Sequence, residues 1–276
     1  MVFAPLVEMN DGRSIPVIGF GVWQVPDDVV VDATLKALEV GYRHIDTAYL
    51  YLNERGVGEA LRRSGLDRDD IFVTTKVWNT DHGYDETLRA FDKSTGLLGI
   101  DEVDLYLIHW PTPARDIYLD SWRALIRLRE EGRARSIGVS NFHEAHLRKI
   151  IDETGVIPAI NQIELHPWLP QTHMRDIDGR LGIKTEAWSP LGSGRLIDDP
   201  VIAEVAAKHG KSPAQVMVRW SIQLGNIVLP KSVTPERIEQ NIDVFDFQLD
   251  DADMAAIATL ESGRRTGPNP DEFNEA

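Results

Sequence analysis

The chain has 276 residues, no cysteine and a formal net charge of −15. The length suits one domain, residues 1–276, close to the roughly 250 residues of a (β/α)8 barrel, and the missing cysteines exclude disulfides, thiolate metal sites and a cysteine nucleophile. The acidic balance disfavours nucleic acid and anionic membrane as partners, since both require a basic footprint.

No stretch is long and apolar enough to span a bilayer. The leading MVFAPLVEMNDGRS has neither a basic n-region nor an apolar h-region, so a cytoplasmic location is expected. No apolar patch or heptad seam demands a second copy, and a monomer is expected.

In chain order, Leu6 to Ile15 reads as a hairpin turning at Asp11-Gly12, placed as a plug on a barrel floor. Apolar alternation then predicts strands at Val17–Gly21, Tyr42–Asp46, Ile71–Val77, Val103–Ile108, Ala134–Val139, Ala159–Glu164, Lys184–Ala187 and Ile227–Leu229. Amphipathic segments lie between them, among them Val29–Leu38, Glu54–Arg63, Glu86–Leu97, Asp120–Glu130, Glu144–Glu153, Val201–His209 and Glu236–Val244. Eight strands with intervening helices predict an α/β fold, a single (β/α)8 TIM barrel. The tail Gly263–Ala276 is rich in Gly, Pro and Asn and reads as irregular, either frayed or folded over the barrel mouth.

Several strands end on chemically loaded residues. Asp46 ends the second, Lys76 nearly ends the third and His109 ends the fourth, so the three converge on one rim, with Tyr51 on the loop above. A phenol is too weak an acid at neutral pH unless its anion is favoured. A lysine ammonium beside it would do this, and an aspartate would keep that lysine charged. Tyr51 therefore reads as a general acid tuned by Lys76 and Asp46, with His109 orienting a carbonyl oxygen.

A second site is LPKSVTPERIEQN, Leu229 to Asn241. Thr234 reads as an N-cap and Pro235 as the first helical residue. Arg237 stands where a capping box would carry an acid, and with Lys231, Ser232 and free backbone donors it suits a phosphate. Trp23, Trp78, Trp110 and Trp188 sit at or just beyond strand ends and could line an aromatic pocket.

Other features carry less. His44 shares strand parity with Asp46, but no third ligand stands at recognisable spacing, so no metal is expected. His166 reads as a loop-fixing residue. Gly19-Phe20-Gly21 lacks a full dinucleotide fingerprint, and Gly192-Ser193-Gly194 is first of all a turn.

Taken together, NDGRSIPVIGFGVW, HIDTAYLYLNE, TTKVWN, DLYLIHWP, SIGVSNF, NQIELHP, EAWSPLG and LPKSVTPERIEQN resemble the aldo-keto reductases in order and over nearly the whole length. The likeness is to bacterial 2,5-diketo-D-gluconate reductase-like members. It implies reversible hydride transfer between NADPH and a small-molecule aldehyde, ketone or dicarbonyl, keto-sugars included. By resemblance the catalytic tetrad falls on Asp46, Tyr51, Lys76 and His109. The nicotinamide carboxamide contacts fall on Ser140, Asn141 and Gln162, and the stacking aromatic is Trp188. Pyrophosphate contacts fall on Ser189, Leu191, Ser193 and Gly194, and adenine and ribose-phosphate contacts on Lys231, Ser232, Val233, Arg237 and Asn241. Trp23, Trp78, Asn79 and Trp110 are expected at the substrate.

The chain departs from the usual pattern at Gln240, where many relatives carry Glu, and at Leu52, where Gly is frequent. Two other readings compete: a cofactor-binding regulatory subunit with little turnover, and a barrel lyase using Lys76 as a Schiff-base amine.

Overall fold

The computed structural model describes residues 3–275. The chain enters through a hairpin in which Leu6–Glu8 (β1) pairs antiparallel with Ser14–Pro16 (β2), Val7 opposite Ile15. Gly12 adopts the left-handed backbone (φ 80°) that the turn needs. Met9 and Ile15 are buried against Leu105, Leu107, Ile160 and Ile227, which makes the hairpin the floor plug expected of it.

Eight parallel strands follow: Phe20–Gly21 (β3), His44–Asp46 (β4), Phe72–Val77 (β5), Val103–Ile108 (β6), Ala134–Ser140 (β7), Ile160–Glu164 (β8), Lys184–Trp188 (β9) and Ile227–Leu229 (β10). They pair in sequential order. A parallel bridge between Ile18 and Val228 closes the ring, with Gly19 N donating to Val228 O at 2.9 Å.

The expected strand Val17–Gly21 is shortened to Phe20–Gly21, because Val17 N bonds back to Pro5 O (2.9 Å) and Gly19 crosses to the last strand. Gly19 has a steric reason to be glycine. A Cβ there would lie 2.5 Å from the His44 ring. Tyr42 likewise precedes its strand, since its N–H closes the preceding helix at Ala37 O (3.0 Å) and its hydroxyl reaches Ile238 O (3.3 Å).

The helices are Asp27–Val40 (α1), Glu54–Arg63 (α2), Tyr84–Leu98 (α3), Tyr118–Glu130 (α4), Glu144–Thr154 (α5), Thr172–Leu181 (α6), Pro200–His209 (α7), Pro213–Gln223 (α8), Pro235–Ile242 (α9) and Asp251–Ala258 (α10). Strand alternation sorts the two faces. Outward residues such as Ile45, Val73, Tyr106, Ile108 and Val139 join Phe91, Trp122 and Leu125 of the helices in one buried cluster. Inward residues are apolar near the floor and polar toward the C-terminal strand ends, where Asp46, Lys76 and Gln162 are all buried. That gradient fixes where chemistry can occur.

Between the two possibilities for the tail, its described part folds over the mouth. Phe273 packs on Trp110 with ring centroids 4.5 Å apart, and Asn79 Nδ2 donates to Glu275 O at 2.6 Å.

Candidate active site

Asp46 and Lys76 face inward from adjacent strands, and His109 follows β6 directly. Tyr51 ends a short 3-10 turn, Tyr49–Tyr51, above them. The residue after it, Leu52, is held at φ 56° and is 79% exposed, a backbone that glycine would adopt without strain.

Lys76 is fully buried. Its Nζ donates to both Asp46 oxygens (2.7 and 2.9 Å), to Thr47 O (2.9 Å) and to the Tyr51 hydroxyl (3.4 Å). Burial alone would lower its pKa, but Asp46 and the other acids around it outweigh that and hold the ammonium above the ordinary lysine value. An amine so gripped and so charged is a poor Schiff-base nucleophile, which argues against the lyase reading.

Burial pushes the Tyr51 phenol up to about 12; Lys76 pulls it down, while Asp46 and Glu186 push it up. The expected influence of Lys76 is present, but in this site desolvation exceeds it. The phenol is therefore protonated at neutral pH. Its oxygen accepts from Lys76, which leaves its own hydrogen free to donate into the cavity. His109 is neutral: burial, then the Lys76 ammonium and His82, hold it well below the ordinary histidine value. Its ring sits edge-on to Tyr51 at 5.6 Å and to Trp78 at 5.1 Å.

These groups lie at the base of a cavity of about 780 Å³. Trp23, Trp78, Trp110 and Trp188 all line it, as do Ser140, Asn141 and Gln162. Ser140 Oγ donates to Gln162 O (2.8 Å), and the Trp188 indole N–H donates to Asn141 Oδ1 (2.8 Å). Asn141 holds a left-handed backbone (φ 62°), as does Ser189 (φ 50°), and these turns aim the strand-end side chains inward.

The cavity extends past Ser189, Leu191, Ser193 and Gly194 to Lys231, Ser232, Arg237 and Asn241. Among the described residues no carboxylate pairs with Lys231 or Arg237, although most other basic side chains around the barrel have acidic partners. In so acidic a chain, two such cations at the start of α9 are a fit for a phosphate.

Two expectations need correction, those for Val233 and Asn79. Val233 is 45% exposed and does not line the cavity. Asn79 does not line it either, because its amide is turned to the tail carbonyl of Glu275 and its own carbonyl accepts from Arg115. Lys76 itself lies beneath the wall, in contact with the lining residues Asp46 and Tyr51. Thr234 does occupy the N-cap of α9, but its hydroxyl makes no capping bond; the Thr234 N–H instead donates to Ser232 Oγ at 3.1 Å. His166 takes the loop-fixing role expected, and His44 bonds to a neighbouring strand. His44 Nε2 is 3.0 Å from Thr74 Oγ1, and His166 Nε2 is 2.9 Å from Glu164 Oε1 at the end of β8. No group of potential metal ligands is found among the described residues.

Other residues at the site were not anticipated. Ser212 and Pro213 line the cavity at the start of α8, and the S-x-x-Q capping box of Ser212 and Gln215 was their signal. Glu164 and Glu186 are fully buried acids at inward-facing positions of β8 and β9. Strand parity would have found them, since Glu186 shares a face with Trp188 and Glu164 shares one with Gln162. The tail residues Thr266, Gly267 and Phe273 complete the rim.

Comparison with known proteins is consistent with this geometry. The model of the Aldo/keto reductase family matches residues 17–262. An aldo-keto reductase of Mycolicibacterium smegmatis is 58% identical over 271 residues, covering 98% of each chain. The methylglyoxal reductase DkgA of Escherichia coli K12 is 48% identical over 270 residues, covering 97% of this chain and 98% of its own. Among solved structures, a Gox0644 variant in complex with NADPH superposes with a TM-score of 0.94 at 47% identity, covering 99% of both chains. The chain therefore belongs to the aldo/keto reductase family.

Proposed function

We propose that the chain reduces aldehydes, ketones or dicarbonyls to alcohols with NADPH, Tyr51 acting as the general acid. The observation that carries this reading is the Tyr51 hydroxyl, set on the Lys76–Asp46 pair at 3.4 Å from the lysine nitrogen and facing the cavity with its hydrogen uncommitted. The reduced nicotinamide, when bound, supplies the hydride for the carbonyl carbon. Every other task falls to the chain.

Tyr51 donates its proton to the carbonyl oxygen as negative charge develops there, and the Lys76 ammonium stabilises the phenolate left behind. Neutral His109 orients that oxygen by a hydrogen bond. Trp188, Ser140, Asn141 and Gln162 position the nicotinamide end. Ser189, Leu191, Ser193 and Gly194 follow the pyrophosphate, and Lys231, Ser232, Arg237 and Asn241 anchor the ribose phosphate and adenine end. Trp23, Trp78 and Trp110 form the apolar wall against the substrate.

Small dicarbonyls of the methylglyoxal type and keto-sugars such as 2,5-diketogluconate are the substrates this reading favours, supported by the name of the DkgA relative. A single-domain monomer in the cytoplasm is the accompanying expectation. The test is loss of reduced-nicotinamide absorbance with purified protein, NADPH or NADH, and methylglyoxal, aromatic aldehydes and keto-sugars. NADPH-preferring turnover supports the reading. Tight cofactor binding without turnover on any of them would move it toward a regulatory subunit.

A further inference from the structure

Beneath the tetrad lies an acid that the proposed mechanism does not use. Glu186 faces the barrel interior from β9 and is fully buried. Its Oε2 is 2.7 Å from Gln162 Nε2, and the same nitrogen is 2.8 Å from Asp46 Oδ2. Its other oxygen has no hydrogen-bond partner among the described residues and sits 3.8 Å from His44 Nδ1, which has none among them either.

The Gln162 amide is thereby held at two points. Asp46 is already gripped at both oxygens by the Lys76 ammonium, so it can only accept from Gln162. One amide hydrogen goes to Asp46 and the other to Glu186, and the amide oxygen is left as the group that Gln162 offers to the cleft. That polarity is right for a ligand amide that donates, and wrong for one that accepts.

We propose that Glu186 is a positioning residue of the catalytic centre, which fixes the orientation of Gln162 at the nicotinamide end and sets the charge beneath Lys76 and Tyr51. The inference rests on reading the cleft as a nicotinamide-dependent reductase site. The groups facing Glu186 are Asp46 and His44 from β4, Lys76 from β5, Gln162 from β8 and Tyr51 above them.

Burial, reinforced by the Asp46 charge, pushes Glu186 up to about 8, against the pull of the Gln162 hydrogen bond and Lys76. Burial, then the Lys76 charge, lowers His44 to about 3, so His44 stays neutral across the working range. As pH rises through about 8, Glu186 ionises and a second negative charge forms under the tetrad. That charge strengthens the hold of Tyr51 on its proton. Proton donation weakens, and kcat/KM for the carbonyl falls on the alkaline side.

The experiment compares wild type, Glu186→Gln and Glu186→Leu. Cofactor affinity is read by quenching of tryptophan fluorescence with NADPH and with NADH, and kcat/KM for methylglyoxal is followed across pH. In Glu186→Gln, which keeps an oxygen for Gln162 but cannot ionise, the alkaline limb moves up by about one pH unit or more. Its affinity for both cofactors stays within about twofold of wild type.

Glu186→Leu, which removes the acceptor, weakens NADPH and NADH alike by about tenfold. An unmoved alkaline limb in Glu186→Gln would overturn the proposal, as would normal binding of both cofactors by Glu186→Leu. Should the leucine variant not fold, the glutamine variant's pH profile decides. If wild type turns nothing over, the reductase reading fails, and the fluorescence arm still reports on Glu186.

Discussion

The Glu164 carboxylate, buried at the end of β8, accepts a hydrogen bond at 2.7 Å from the hydroxyl of Thr266, 102 residues further along the chain. The same oxygen accepts from the Thr266 N–H, and Gly267 N lies 3.3 Å from both carboxylate oxygens. Gly267 is seated against Trp188, where an added Cβ would lie 2.6 Å from the indole. Ser193 in turn donates to Thr266 Oγ1 at 3.2 Å. The tail, the loop after β9 and the aromatic wall thus share one buried anchor.

Removing that anchor should free the tail. Burial raises the Glu164 pKa, but bonds from His166 and Thr266 exceed that effect and hold it below the ordinary carboxylate value. A depressed pKa contributes stability above the unfolded value, and that contribution is lost as pH falls through the folded value. Glu164→Ala should therefore cost on the order of 2 kcal/mol at neutral pH and less in acid. Hydrogen exchange at Thr266 and Gly267 should speed up markedly in the variant. Tail amides as protected as in wild type would contradict this role.

Arg237 is a cavity-lining cation with no acidic partner among the described residues. Arg237→Ala should weaken NADPH by about tenfold to a hundredfold, the value of a charge-assisted contact, and leave NADH within about twofold. Titration of each cofactor by fluorescence quenching separates the two. Equal losses would remove Arg237 from the 2′-phosphate.

Asp178 on α6 carries a different signature. Burial pushes its carboxyl up to about 7, against hydrogen bonds from Asn161 and Thr185. Its folded pKa lies above the ordinary aspartate value, so the folded state keeps a proton the unfolded chain releases, and stability falls as pH rises from about 4 to about 7. The cost at pH 8 is on the order of 4 kcal/mol. Asp178→Asn should flatten that slope, so its Tm advantage over wild type grows from pH 5 to pH 8. A constant difference would show that Asp178 ionises freely in the fold.

The barrel was legible because its strands alternate cleanly: Ile45, Val73 and Ile108 face the helices while Asp46 and Lys76 face inward. The grouping of Asp46, Lys76, Tyr51 and His109 followed, since each lies at or next to a strand end or on the loop after one. What was not legible depends on contacts distant in sequence. Nothing in the residues around Asn79 says that its amide will serve a tail carbonyl 196 positions away. The truncation at Val17 is set by Pro5, and the bond from Thr234 N to Ser232 Oγ is a choice between two hydroxyls that spacing cannot make. Glu186 was legible in principle from parity, but its meaning depends on Asp46 and Gln162 meeting across the barrel from strands 116 residues apart.

The central claim is that the Tyr51 hydroxyl delivers the proton, and Tyr51→Phe tests it most directly. The substitution removes one oxygen from a ring that keeps its packing against His109. Turnover of methylglyoxal with NADPH should fall by about a hundredfold to ten-thousandfold, the usual contribution of a general acid. NADPH affinity, read by tryptophan quenching, should stay within about twofold, since the cofactor is held elsewhere along the cleft. A Tyr51→Phe enzyme that kept most of its turnover would contradict the account and leave the Lys76–Asp46 pair without its proposed purpose.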